Sequence, residues 1–122
     1  MKEPTETKRR RAGTLTPALV QKLVSTVDVA EGAIVSRTLM KAAGGSVTIF
    51  AFDQGQELSE HTAPFDALVQ VLDGELKVSI DGKEQLLETG DVVLMPAHIP
   101  HGVTALAAVT WMLVMLKADS GS

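Results

Sequence analysis

Three histidines carry the clearest suggestion of chemistry in this chain. His98 and His101 stand three residues apart in "MPAHIPHGV", between Pro96 and Pro100, and His61 is the third. An imidazole can ligate a divalent transition metal, move a proton near neutral pH, or sit in a turn. For His98 two readings stay open: a solvent-facing turn residue, because histidine tolerates positive φ better than most, or an extra metal ligand. Pro100 holds the chain extended before His101. His61 and His101 are expected to face one cavity, as metal ligands or as a polar patch on an organic ligand.

Other chemistries find little support. The absence of cysteine removes disulfides, thiolate ligands and cysteine nucleophiles, and makes a cytoplasmic location the default expectation. No serine sits in a nucleophile elbow or beside a His–Asp pair in sequence. Glu57 and Glu60 precede His61 and are expected on a solvated rim. Asp66 lies one residue from position 67, so a regular strand would turn it to the opposite face.

A chain of 122 residues suits one domain with one core. The net charge of −4 argues against general attraction to nucleic acid, the basic cluster Lys8 to Arg11 being a local exception. No apolar run reaches the roughly 18 residues that span a bilayer, so no membrane partner is expected. Residues 1–17 are polar, broken by Pro4, Gly13 and Pro17, and expected to form a flexible tail, as are residues 119–122. A single domain is assigned to residues 18–118. "PALVQKLV" from Pro17 is expected to start it with a short helix or arm, Thr16 serving as cap.

Beyond that point the punctuation is that of short strands. They are expected at Ile34–Lys41, Ser46–Asp53, Ala67–Leu72, Glu75–Ile80, Lys83–Glu88, Asp91–Met95 and Val109–Leu116, with breaks at Gly44, Gly55, Gly74, Gly82, Gly90 and Pro96. The pattern predicts an all-β antiparallel sandwich or barrel. Asp81-Gly82 has the chemistry of a type I′ hairpin turn. Alternation places His61, Ala63, Ala67, Val69 and Val71 on one inward face, with Leu68, Gln70 and Leu72 outward. Phe50, Phe52, Phe65, Trp111, Met112 and Met115 are available to line the interior or fill the core.

With these residues in place, the chain resembles a small single-domain cupin. That family's first motif runs Gly, five residues, His, one, His, three or four, Glu, six, Gly; Gly55, His61 and Gly74 fall in register, with Ala63 and Ala67 at the second His and Glu positions. The second motif runs Gly, five, Pro, one, Gly, two, His, three, Asn. Gly90, Pro96 and His101 match, while His98 takes the Gly position and Ala105 the Asn position. The resemblance covers about residues 34 to 116. It implies a jelly-roll (double-stranded β-helix) barrel, a ligand pocket in its mouth, and a homodimer.

It further implies a divalent transition metal, iron, manganese, nickel, zinc or copper, as candidate cofactor. Position by position, the chain keeps two of the family's four ligands, His61 and His101, and His98 is the candidate replacement. Two functions follow as expectations: a barrel binding a small, partly apolar molecule, or a metal-dependent oxygenase or isomerase using His61, His98 and His101. The metal-free epimerase chemistry known in cupins needs a tyrosine acid, and the chain has no tyrosine.

Overall fold

In the computed structural model, which describes residues 14–118, nine strands follow an N-terminal arm. They are β1 (Ile34–Ala42), β2 (Gly45–Phe52), β3 (Glu57–His61), β4 (Phe65–Asp73), β5 (Glu75–Ile80), β6 (Lys83–Glu88), β7 (Val92–Met95), β8 (His101–Ala105) and β9 (Val109–Lys117). All pairings are antiparallel. A five-stranded sheet runs β1-β2-β9-β4-β7 and a four-stranded sheet runs β3-β8-β5-β6. This is the expected jelly-roll barrel, and no described helix is long and apolar enough to cross a membrane.

Alternation builds the interior. Ala67, Val69 and Val71 of β4 are buried, and each faces a partner of like parity on β9: Met115, Leu113 and Trp111. Leu76 and Val78 of the other sheet close over them, and a side chain of this size contributes about 1.5–3 kcal/mol when fully buried. Trp111 anchors this core, stacked on Phe50 at 4.6 Å and edge-on to Phe52 at 5.4 Å. A second apolar cluster lies on the outer side of the five-stranded sheet, where Val27, Leu39, Ile49 and Ala51 are covered by Leu15 and Leu23.

The turns follow the punctuation. Asp81 and Gly82 both have positive φ, 54° and 81°, and they join Ile80 to its partner Lys83. Gly74 has φ 114°, and a Cβ there would stand 2.5 Å from the carbonyl oxygen of Ala108, so the site excludes any side chain.

Two expectations need correction. No α-helix forms over Pro17–Val24: Ala18 takes a left-handed φ of 63°, and a single 3-10 turn follows at Leu23–Thr26 without a side-chain cap. Eight residues with Val20 and Val24 among them are too few to hold a helix by propensity. The segment instead lies as an arm along the sheet, with the Leu15 N–H donating to the carbonyl of Leu39. Residues 14–17 of the expected tail thus have a place on the sheet, while residues 1–13 and 119–122 fall outside the described residues. The second correction is that β3 and β8 are absent from the expected strands. They carry His61 and His101.

Candidate functional site

His61 and His101 meet because β3 pairs with β8 and is irregular where it does so. Glu57 faces Thr104 and Leu58 faces Val103, after which the register shifts and His61 faces His101. Three residues of β3 therefore span two of β8, a bulge with one extra residue. In a regular ladder Glu60 would oppose His101 and share the inward parity of Leu58. The bulge turns His61 inward instead, and Glu60 lies on the outer surface with Lys77 and Glu84.

The two rings stand 4.5 Å apart, centroid to centroid, at 65°. Each is oriented by the backbone carbonyl two residues before it: His61 Nδ1 lies 2.9 Å from Ser59 O, and His101 Nδ1 lies 3.0 Å from Ile99 O. A carbonyl oxygen only accepts, so Nδ1 carries the proton in both rings. In the neutral imidazole this leaves Nε2 with its lone pair free to accept a hydrogen bond or ligate. His101 is 6% exposed and held within β8, whereas His61 is on the exposed rim.

The rings border a cavity of about 60 Å³ whose other walls are almost wholly apolar, including Ala63, Phe65, Ala67, Met95 and Met115. Ala63 and Ala67 give the space: larger polar side chains at these positions would fill it. Trp111 also lines the cavity, and its Nε1–H is buried without a hydrogen-bond partner among the described residues. Such an orphan donor costs about 1–3 kcal/mol unless water or a ligand satisfies it. The expectation about wall residues holds for Phe65, Trp111 and Met115. Phe50 and Phe52 belong to the core, and Met112 pairs with Ile49, on the parity of the sheet's other face. Leu58, Met95 and Leu113 line the cavity as well, without a marker in the sequence. Met95 is readable only from its pairing with Ala67.

His98 is placed apart from this pair. It occupies the turn after Met95 with φ 66°, its side chain is exposed, and its backbone N–H donates to Ala63 O at 2.8 Å. It therefore performs with an L residue the left-handed turn for which the cupin motif uses glycine. Gly55, Gly74 and Gly90, the matching glycines, all have positive φ. The carboxylates also lie elsewhere. Asp66 Oδ1 accepts the N–H of Ala97 at 2.9 Å and so braces the same turn, and Glu57 accepts from Thr104 Oγ1.

This donor set does not fit the metal that the cupin resemblance implies. Catalytic divalent metals take at least three protein ligands, and among the described residues no three His, Cys, Asp or Glu side chains are grouped to hold one. Ala63 and Ala67 stand where two further donors would be needed. What remains is a small apolar cavity with two hydrogen-bond acceptors on one wall.

Comparison with known proteins agrees with this architecture. A conserved protein of unknown function from Streptococcus pyogenes is 32% identical, superposes with a TM-score of 0.83, and is matched over 88% of this chain and 95% of its own. A cupin 2 conserved barrel domain protein from Leptotrichia buccalis is 40% identical with a TM-score of 0.74, over 77% of this chain but only 46% of that one. A cupin superfamily protein from Desulfitobacterium hafniense, 24% identical, shares the fold at a TM-score of 0.81 over 86% and 96% of the two chains. No curated protein matches the chain. The family model described as the cupin domain matches residues 48–115, over half the chain, and the chain belongs to the cupin family.

Proposed function

We propose that this cupin binds a small, partly apolar molecule in the barrel mouth and holds its polar group between His61 and His101. The observation that carries the reading is the paired Nδ1–H···O=C bonds, which in the neutral rings leave both Nε2 atoms as acceptors beside an apolar cavity. The complementary group is a hydrogen-bond donor on an apolar stem, such as a hydroxyl, whose one proton goes to one Nε2 while the other ring borders it.

The test uses n-hexanol as a neutral probe, followed by NMR of the imidazole and indole nitrogens. Saturable shifts at His61, His101 and Trp111, lost in His101→Ala with the fold intact, support the reading. Shifts confined to the outer surface, or none, overturn it. Metal analysis of protein purified without chelator addresses the competing metalloenzyme reading. Stoichiometric metal taken up at His61 and His101 would replace the hydrogen-bonding reading, whereas less than about a tenth of an equivalent, with no uptake on titration, supports it.

The second partner in this reading is another copy of the chain. Leu68 and Leu94 are directly paired on β4 and β7, and both are more than a third exposed. Val92 and Leu116 extend the patch, and β7 beside it is a sheet edge with unpaired backbone groups.

A further inference from the structure

The histidine cavity is small, about 60 Å³, and a molecule of more than a few atoms must extend beyond it. Phe65 and Met115 line it, and the same two side chains line a second cavity of about 370 Å³. The two spaces therefore share a wall. The far side of the second is polar, formed by Thr38, Lys41, Ser46 and Thr48.

The register explains this polarity. Lys41 pairs with Ser46, Ser46 with Met115, and Met115 with Ala67, so these four form one row across the inner face of the five-stranded sheet. Thr38, Thr48, Leu113 and Val69 form the next row. Both rows run from polar at β1 and β2 to apolar at β9 and β4. Lys41 holds its place only through a bulge. The pairing of β1 shifts between Thr38 and Met40, with Leu39 the extra residue, and Met40 would otherwise oppose Ser46. Met40 is turned out to solvent at 62% exposure. Both bulges thus bring a polar side chain, His61 or Lys41, to the inner face in place of its neighbour.

Among the described residues Lys41 has no ion-pair partner, and the hydroxyls of Ser46 and Thr48 have no hydrogen-bond partner. Glu57 and Glu60 lie on the outer surface of the other sheet.

We infer that the ligand of the histidine cavity is a hydroxy acid, its hydroxyl donating to Nε2 of His61 or His101 and its carboxylate received by Lys41, Ser46 and Thr48. The inference rests on the ligand-binding reading above and adds the chemistry of the ligand's other end. Strands lie about 4.8 Å apart, so Ser46 stands two strand spacings, about 10 Å, from Ala67 on the floor of the histidine cavity. That separation sets the length of the apolar stem across Phe65 and Met115.

The experiment titrates ω-hydroxyhexanoate and n-hexanol into wild type, Lys41→Met, Lys41→Arg and His101→Ala. A partly solvated ion pair is worth up to about 1 kcal/mol, so wild type is expected to favour the carboxylate by up to about fivefold, less at high salt. Lys41→Met should erase that preference and leave n-hexanol affinity unchanged, and Lys41→Arg should keep it. Wild type binding both probes equally, or a preference that survives Lys41→Met, overturns the inference while the histidine cavity stands. Failure of n-hexanol to bind, with Lys41-dependent binding of ω-hydroxyhexanoate that ignores His101→Ala, overturns the histidine reading and the joint site with it. Binding of neither probe overturns both.

Discussion

His61 and His101 are direct partners across β3 and β8, and each ring is tied through Nδ1 to the carbonyl two residues before it. One local device is thus used twice, on two strands, to hold a pair of imidazoles in the same tautomer. No further side chain is needed to orient them, because the backbone supplies both acceptors. Gly102 makes the approach possible: a Cβ there would stand 3.1 Å from Leu58 O and 3.2 Å from the Glu60 N, against the bulge itself.

His98→Gly separates a turn residue from a ligand. An L residue in the left-handed region costs about 1–2 kcal/mol, and glycine's extra freedom in the unfolded chain offsets about 0.4–1 kcal/mol of that. The variant should be more stable by up to about 1 kcal/mol in denaturant titration, with n-hexanol affinity unchanged. A severalfold loss of affinity at unchanged fold would place the His98 side chain in the site.

The sequence made much of this legible, and the exceptions have local causes. β5 and β6 were readable to the residue, because Asp81-Gly82 fixes their turn and therefore their register. Motif spacing, with the alternation around His61 and Pro100 before His101, assigns His61 and His101 to one cavity. The strands carrying them were hidden. In "ELSEH" the bulge breaks the alternation that would reveal a strand, and "HGVTA" begins directly after a proline turn and contains Gly102. The same cause hid Lys41. Its parity reverses at Leu39, and only the observed pairing with Ser46 puts it on the inner face. The left-handed Ala18 that stops the expected helix has no marker in the sequence.

Asp53 gives the fold a defined acid sensitivity. Its carboxylate accepts the N–H of Gly32 at 2.7 Å and that of Gln54 at 2.9 Å, and these bonds hold it below its ordinary value of 3.8. A lowered folded-state value means that the contribution is complete above the unfolded value and is lost as pH falls through the folded one. Thermal unfolding followed from about pH 5 down to about pH 2 should therefore show a smaller acid-induced loss in Asp53→Asn than in wild type. Parallel curves would show the carboxylate to be energetically silent.

The apolar patch around Leu68 and Leu94 predicts self-association. The protein should elute near twice its monomer mass of 12.9 kDa. Leu94 is 56% exposed and a leucine is worth about 1.5–3 kcal/mol when fully buried, so Leu94→Glu should shift the equilibrium to monomer. A clean wild-type monomer at micromolar concentration would remove the interface from consideration.

Ala63→His with Ala67→Glu should turn the barrel into a metal protein. Both positions line the cavity bordered by His61 and His101, and the double variant supplies four donors where wild type has two. The two existing rings already present Nε2, so only the missing ligands need to be added. Without metal, the carboxylate introduced by Ala67→Glu would be buried at a position 4% exposed in wild type and should cost several kcal/mol. Bound metal should offset that cost. The expected result is uptake of about one equivalent of zinc, with a rise in thermal stability on metal addition that wild type does not show. Equal zinc response in both proteins would mean that His61 and His101 already suffice to hold a metal, and the two alanines would no longer explain the choice of an organic ligand.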